Sequence, residues 1–346
     1  MKSYLGIVFF MALLLVSCEM QKNELKDLTA ATEQKDFLVF DDTEDFDVTL
    51  SNAANVSTKS QDVASFEAFN TVVRKADNSR YFTEEQLEDY ESDHVLFQVL
   101  NKNRMVQIGP WICQLDFNAE QVYVVNQEDW ATVQGNVLNQ SSKAYSFSFE
   151  EEVSAYMDVA ATEKVDLYKA KEIYLAMDAE NENARFNVCP NVPGRDKAKE
   201  NCSDLEYTSV VDGKTYSAKI KLVYQKVGIY FSVKAKVKNY RTWLGCNLNT
   251  GGMHSISYGS VLINVKKWRI RRLRRVCRDD YRAQHFAFST HSEGGASDSN
   301  NSSAILTNTL YEGARGLQNL DVTAQFRWQS HVGNYSSFSE TFNIRR

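Results

Sequence analysis

From residue 207 onward, apolar and polar positions alternate. Tyr216, Ala218, Ile220, Leu222 and Tyr224 share one parity, against Ser217, Lys219, Lys221, Val223 and Gln225 on the other. After a turn near Lys226–Gly228, Ile229, Phe231, Val233, Ala235 and Val237 alternate with Tyr230, Ser232, Lys234, Lys236 and Lys238. A period of two is that of a half-buried strand, so the pattern predicts an antiparallel hairpin with an apolar face and a lysine-rich face. Val322, Ala324, Phe326 and Trp328 predict a further strand of the same kind. Residues 292–303, SEGGASDSNNSS, read as a loop. The C-terminal architecture expected is an antiparallel β-sandwich or a curled sheet.

Upstream the pattern is mixed. Val63, Phe66, Phe69 and Val73 have helical spacing, and Thr83-Glu84-Glu85-Gln86 fits a capping box before a short helix. Residues 95–125 predict a short helix or strand running into a turn at Asn101–Arg104. Two or three strands follow, broken at Gly109-Pro110 and Phe117–Glu120. Tyr145, Phe147 and Phe149 alternate with serines as a half-buried strand, and residues 150–180 read as helical without a clean apolar stripe. The fold class is therefore α+β and β-rich. A small α/β N-terminal part, residues 61–185, precedes an antiparallel β-sandwich-like domain at 207–346. Between them, residues 186–206 form a polar loop holding Cys189-Pro190, Pro193-Gly194 and Cys202.

The first residues carry an address. Lys2 is followed by the apolar run Leu5–Val16, too short for the roughly 20 residues of a spanning helix but suited to a signal peptide. Leu15-Val16-Ser17-Cys18 resembles the bacterial lipobox, so residues 1–17 are read as a leader and Cys18 as the lipidated first residue of the mature chain. Acyl chains on Cys18 would hold the protein on a membrane at about 0.8 kcal/mol per buried methylene. Glu19, in place of the aspartate of the inner-membrane retention pattern, favours the outer membrane, on its periplasmic face or at the cell surface. Residues 18–60 are polar and rich in aspartate, which predicts an acidic flexible tether. The alternative is an ordered strand at Phe37-Leu38-Val39-Phe40 that docks on the body.

Charge changes the picture most. The net charge of −6 is split. Residues 1–206 hold 18 basic and 37 acidic residues, whereas 207–346 hold 21 basic and 8 acidic. The densest basic stretch, KKWRIRRLRRVCRDDYR, contains Lys266, Lys267, Trp268, Arg269, Arg271, Arg272, Arg274 and Arg275. Guanidinium forks pair two-pronged with sulfate, phosphate or carboxylate, and a dense positive field concentrates anionic ligands. These residues form a candidate polyanion site, with Trp268 placed to stack under a ligand ring or a guanidinium. Two plainer readings stand beside it: the basic face meets the acidic half of the same molecule, or it is a solvated strand whose charge prevents edge pairing.

Five cysteines remain besides Cys18. Cys189 and Cys202 close a short loop, and a disulfide between them would stabilise by about 3 kcal/mol, the alternative being two free thiols. Cys113 reads as a buried thiol, and Cys246 with Cys277 is a weaker pairing. The sequence contains no C-x-x-C, G-x-S-x-G, Gly-rich phosphate loop or H-E-x-x-H, so neither a metal nor a cofactor is called for. Glu150-Glu151-Glu152 reads as a solvated helix start.

The lipobox, the acidic segment and NKNRMVQIGPWICQLDFNAEQVYVV together resemble uncharacterised outer-membrane lipoproteins of the Bacteroidota. In those, an Asn-containing turn precedes a V-Q-I-G strand that typically continues Gly-Asp or Gly-Asn. Here it continues Gly109-Pro110. The resemblance implies an envelope location and carries no activity. The expectation is a lipid-anchored envelope protein that binds an anionic glycan or lipopolysaccharide, and not nucleic acid. The alternatives are a glycan hydrolase accessory to polysaccharide uptake and a purely structural envelope protein.

Overall fold

A computed structural model describes residues 36–345 other than 62, 64, 76–80, 83–94, 134–137, 180–200, 212–213, 244–245, 250–251, 267, 276–277, 286–287, 291–295, 299–304 and 331–337. The protein is α+β. Its N-terminal part carries β1 (Val39–Phe40), α1 (Thr43–Leu50), α2 (Ala53–Gln61), α3 (Phe69–Lys75), α4 (Val95–Val99), β2 (Met105–Ile108), β3 (Trp111–Asp116), β4 (Gln121–Asn126), β5 (Tyr145–Ser148), α5 (Val153–Glu163) and α6 (Leu167–Ala179). The five strands form one sheet in sequential order. β1 joins it parallel to β2, and the other pairs are antiparallel.

The breaks at Gly109-Pro110 and Phe117–Glu120 fall between β2, β3 and β4, as the turn residues predict. Asn101 is buried and shapes the turn before β2, accepting from the N–H groups of Asn103 and Met105. Phe117, at the β3–β4 turn, is wholly buried among Phe69, Phe82, Phe97 and Phe149, with ring centroids 5.1–5.9 Å away. Cys113 is a buried free thiol whose pKa burial pushes well up. The capping-box segment Thr83–Gln86 lies outside the described residues.

Order begins earlier than a tether over 18–60 predicts. Leu38 and Phe40 are buried in one interior with Phe46 and Leu50, four apart on α1, and Phe37 is buried in a second cluster with Met105 and Ile112. The acidic residues that suggest a solvated linker are instead the start of this helix. Asp42 is its N-cap and accepts from the Asp45 N–H, and Glu44 and Asp45 occupy its first turn, where the helix dipole favours negative charge.

The C-terminal part is all antiparallel: β6 (Asn201–Val211), β7 (Lys214–Lys226), β8 (Phe231–Trp243), β9 (Cys246–Asn249), β10 (Gly252–Val265), β11 (Trp268–Arg275), β12 (Arg278–His285), β13 (Phe288–Thr290), β14 (Ala296–Asp298), β15 (Ile305–Gly313), β16 (Leu317–Ser330) and β17 (Phe338–Arg345). One sheet runs β15-β8-β7-β6 with β9 on β8, and the other runs β13-β10-β16-β17 with β14 on β10. Ile220, Leu222, Phe231, Val233, Ala235 and Val237 of the first sheet form one core with Ile256, Val261, Ile263, Val322, Ala324 and Phe326 of the second. The alternating parities of the sequence are thus the inner faces of a sandwich. The lysine face of the β7–β8 hairpin is not uniformly solvated, because Lys221 and Lys236 lie opposite each other and are buried.

The tip of that hairpin ties the two parts together. Val227, Ile229 and Tyr230 are buried in the N-terminal core. Gly228 donates to the Phe149 carbonyl and accepts from Val153 N–H. Gly228 has φ +65° and sits against the Val122 side chain, so both its backbone and the lack of room select glycine.

Candidate functional site

The most concentrated chemistry among the described residues lies between the two parts. It is built from the start of α5, from α1 and α6, and from two C-terminal connections: Lys266 after β10, and Gly313–Gly316 between β15 and β16. Lys266 is 5% exposed, Glu152 8% and Tyr174 2%. Lys266 Nζ donates to Glu152 Oε1 at 2.7 Å and to Tyr174 Oη at 3.2 Å, and the Tyr174 hydroxyl donates to Glu152 Oε2. Both oxygens of a buried carboxylate are thereby satisfied, one by a cation and one by a hydroxyl.

The β15–β16 connection enters beside this cluster as a key in a socket. Ala314 is fully buried in the N-terminal core, its N–H donating to Asp47 Oδ1 at 2.6 Å and its carbonyl accepting from the Ser154 hydroxyl. Arg315 meets three carboxylates, Glu44 at 2.7 Å and Asp47 and Asp158 at 3.6 Å each. Glycines flank the key because side chains would not fit. A Cβ on Gly313 would stand 2.5 Å from Asp47 Oδ1, and one on Gly316 2.6 Å from Glu152 Cδ. Gly316→Ala should therefore push Glu152 away from Lys266 and cost about 1–3 kcal/mol, as overpacked sites do. A denaturant midpoint equal to that of the wild type would show that the socket has slack.

Asp158 carries the pH dependence of this socket. Burial raises its pKa, opposed by the Thr43 hydroxyl that donates to it and by the Arg315 charge. A carboxyl whose folded pKa lies above its unfolded value adds stability at low pH, and that addition is lost as pH rises through the folded pKa. Asp158→Asn keeps an acceptor for Thr43 and removes the charge. Its unfolding free energy at pH 7 should equal or exceed that of the wild type, by less than about 1 kcal/mol because the side chain is partly exposed. The difference should close below about pH 3, where the wild-type carboxyl is protonated in both states.

The space left between Thr43, Glu152, Ser154, Asp158, Lys266, Arg315 and Gly316 is about 10 Å³, room for a single water at most. This is a clasp rather than a substrate pocket. It was not legible beforehand. Glu150-Glu151-Glu152 reads as a solvated run, yet its members go to three separate cations: Glu150 to Lys226 at 3.6 Å, Glu151 to Lys171, and Glu152 to Lys266.

The predicted polyanion residues divide. Lys266 faces Glu152 inside the molecule, which removes it from any outward basic surface. Trp268, Arg269, Arg271, Arg272, Arg274 and Arg275 lie on β11, which among the described residues pairs with β12 alone as a two-stranded ribbon. Lys267 lies outside the described residues, as do Cys18, Cys189 and the side chain of Cys202. Among the described residues, no group of three or more His, Cys, Asp or Glu could hold a metal ion, and no helix is long and apolar enough to cross a membrane. No protein family, curated protein or solved structure matches the chain.

Proposed function

We propose that the chain is a lipid-anchored protein of the bacterial outer membrane, held through Cys18, and that it binds an anionic glycan or lipopolysaccharide without catalysis. The observation that supports this reading is the register of the β11–β12 ribbon. Arg271 stands opposite Arg282, and Arg275 opposite Arg278. Directly opposed residues share a face, so Arg269, Arg271, Arg275, Arg278 and Arg282 fall on one face of the ribbon, together with Leu273, Asp280 and Gln284. Arg272 and Arg274, also predicted for the anion site, fall on the other face with Trp268, Ile270, Asp279, Tyr281, Ala283 and His285. Like charges at opposed positions are costly unless an anion lies between them. Five arginines against one aspartate on a single face suit sulfate or phosphate repeats.

The test is binding of the full-length protein in detergent to heparin and to purified lipopolysaccharide across a salt series. Affinity should fall steeply as salt rises, because bound polyanions release counterions. The variant R269E/R271E/R275E should lose binding while keeping its melting temperature. Binding that survives in the variant places the ligand elsewhere.

A second reading, a structural envelope protein, draws on the clasp. Acidic residues of the N-terminal part meet basic residues of the C-terminal part at Glu150–Lys226, Glu152–Lys266 and the carboxylates around Arg315. It is favoured if no polyanion binds and melting is salt-sensitive without a ligand.

A further inference from the structure

We propose that Lys266 is a positioning residue. Its ammonium, clamped by Glu152 and Tyr174, fixes the direction in which the basic β11–β12 ribbon leaves the sandwich, and it does not itself meet the anion. The inference rests on the ribbon being the ligand site, but its structural half can be tested without any ligand.

Three observations converge on Lys266. First, β10 and β13 pair at Val265 and Phe288, so the chain leaves the sandwich and returns to it at one place, with the ribbon between. Lys266 is the first residue of that excursion. Second, this root is held at both its backbone and its side chain. The Lys266 N–H donates to the Gly316 carbonyl at 2.9 Å, while Nζ reaches Glu152 and Tyr174. Third, Glu152 occupies the N-cap position of α5 and Tyr174 lies on α6, and α5 approaches β11 as α6 approaches β12. The helices that grip the root therefore also flank the ribbon.

The physical need for such a root is clear. A two-stranded ribbon alone is marginal in water, and among the described residues this one pairs with no other strand. A row of arginines binds a polyanion well only if the ribbon is presented in one orientation, since ordering it on binding would subtract from affinity. A buried, hydrogen-bonded ion pair at the root supplies that order in advance.

The test uses the full-length protein with two variants. In Glu152→Gln, a negative charge 2.7 Å from Lys266 is removed. If Lys266 met the anion directly, losing this competing carboxylate would tighten heparin binding. If Lys266 positions the ribbon, binding should weaken by roughly three- to thirtyfold, with an unchanged slope of affinity against salt, because the contacting arginines are intact. The double variant E152Q/K266M leaves no unpaired buried charge, so it should fold even where a single change does not. In it, hydrogen exchange of the β11–β12 amides should accelerate by about tenfold or more without ligand, while exchange in β7 and β8 stays as in the wild type. Tighter binding by E152Q overturns the proposal. So does unchanged ribbon exchange in the double variant. If no form binds any polyanion yet ribbon exchange accelerates, the positioning role stands and the ligand reading fails.

Discussion

Lys266→Met should lower stability by about 3–5 kcal/mol, the cost of breaking a buried ion pair from one side. The substitution keeps most of the side-chain volume and leaves the Glu152 carboxylate with only Tyr174 among the groups that now hold it in the clasp. Water cannot reach that carboxylate freely, because a Gly316 backbone lies against it and the adjoining cavity holds a single water at most. Replacing both partners, as in E152Q/K266M, should recover most of the loss. Neutral groups of similar shape are close to isoenergetic with a buried pair. The pairwise coupling from that cycle measures the clasp directly. Urea unfolding of the two single variants, the double variant and the wild type gives the four numbers. A loss under about 1 kcal/mol in the single variant would mean that Glu152 is solvated, as surface pairs are, and that there is no buried clasp.

Phe117→Ala should have a comparable effect, about 3–5 kcal/mol, by a different mechanism. Phe117 is wholly buried and joins four other phenylalanines: Phe69 of α3, Phe97 of α4, Phe149 in the turn after β5, and Phe82. Its ring lies nearly parallel to that of Phe69 at 5.9 Å, and nearly perpendicular to that of Phe97 at 5.5 Å. Truncation leaves a cavity walled by rings that are themselves fixed by one another, so the site cannot collapse to fill it. The expected readout is a lower denaturant midpoint with an unchanged m value. Phe117→Leu should cost less than Phe117→Ala, because most of the volume is kept. A truncation that costs under 1 kcal/mol would show that the cluster repacks.

Several elements follow directly from local signals. β2, β3 and β4 lie where apolar runs are interrupted by Gly109-Pro110 and Phe117–Glu120, since those residues supply turn geometry that a strand cannot continue through. The β7–β8 hairpin and β16 follow from a strict period of two, because one face of each strand must be buried in the sandwich. The acidic segment over 41–47 misled for a definable reason. Composition weighs charge but does not see that Asp42 caps a helix whose Phe46 and Leu50 are buried.

The clasp belongs to another category. Glu152 and Lys266 are 114 positions apart, and each sits in a run of like charges that reads as solvated surface. Gly313 and Gly316 carry no motif, and their need for missing side chains exists only where Asp47 and Glu152 press against them. Periodicity and turn chemistry act over a few residues, so the chain alone determined the α+β class, the strands of the sandwich and the uneven division of charge. Which charges are buried depends on what arrives from the other half of the molecule. Only the packed structure decided that Lys266 turns inward to Glu152 and that the arginines beyond it form a ribbon of their own.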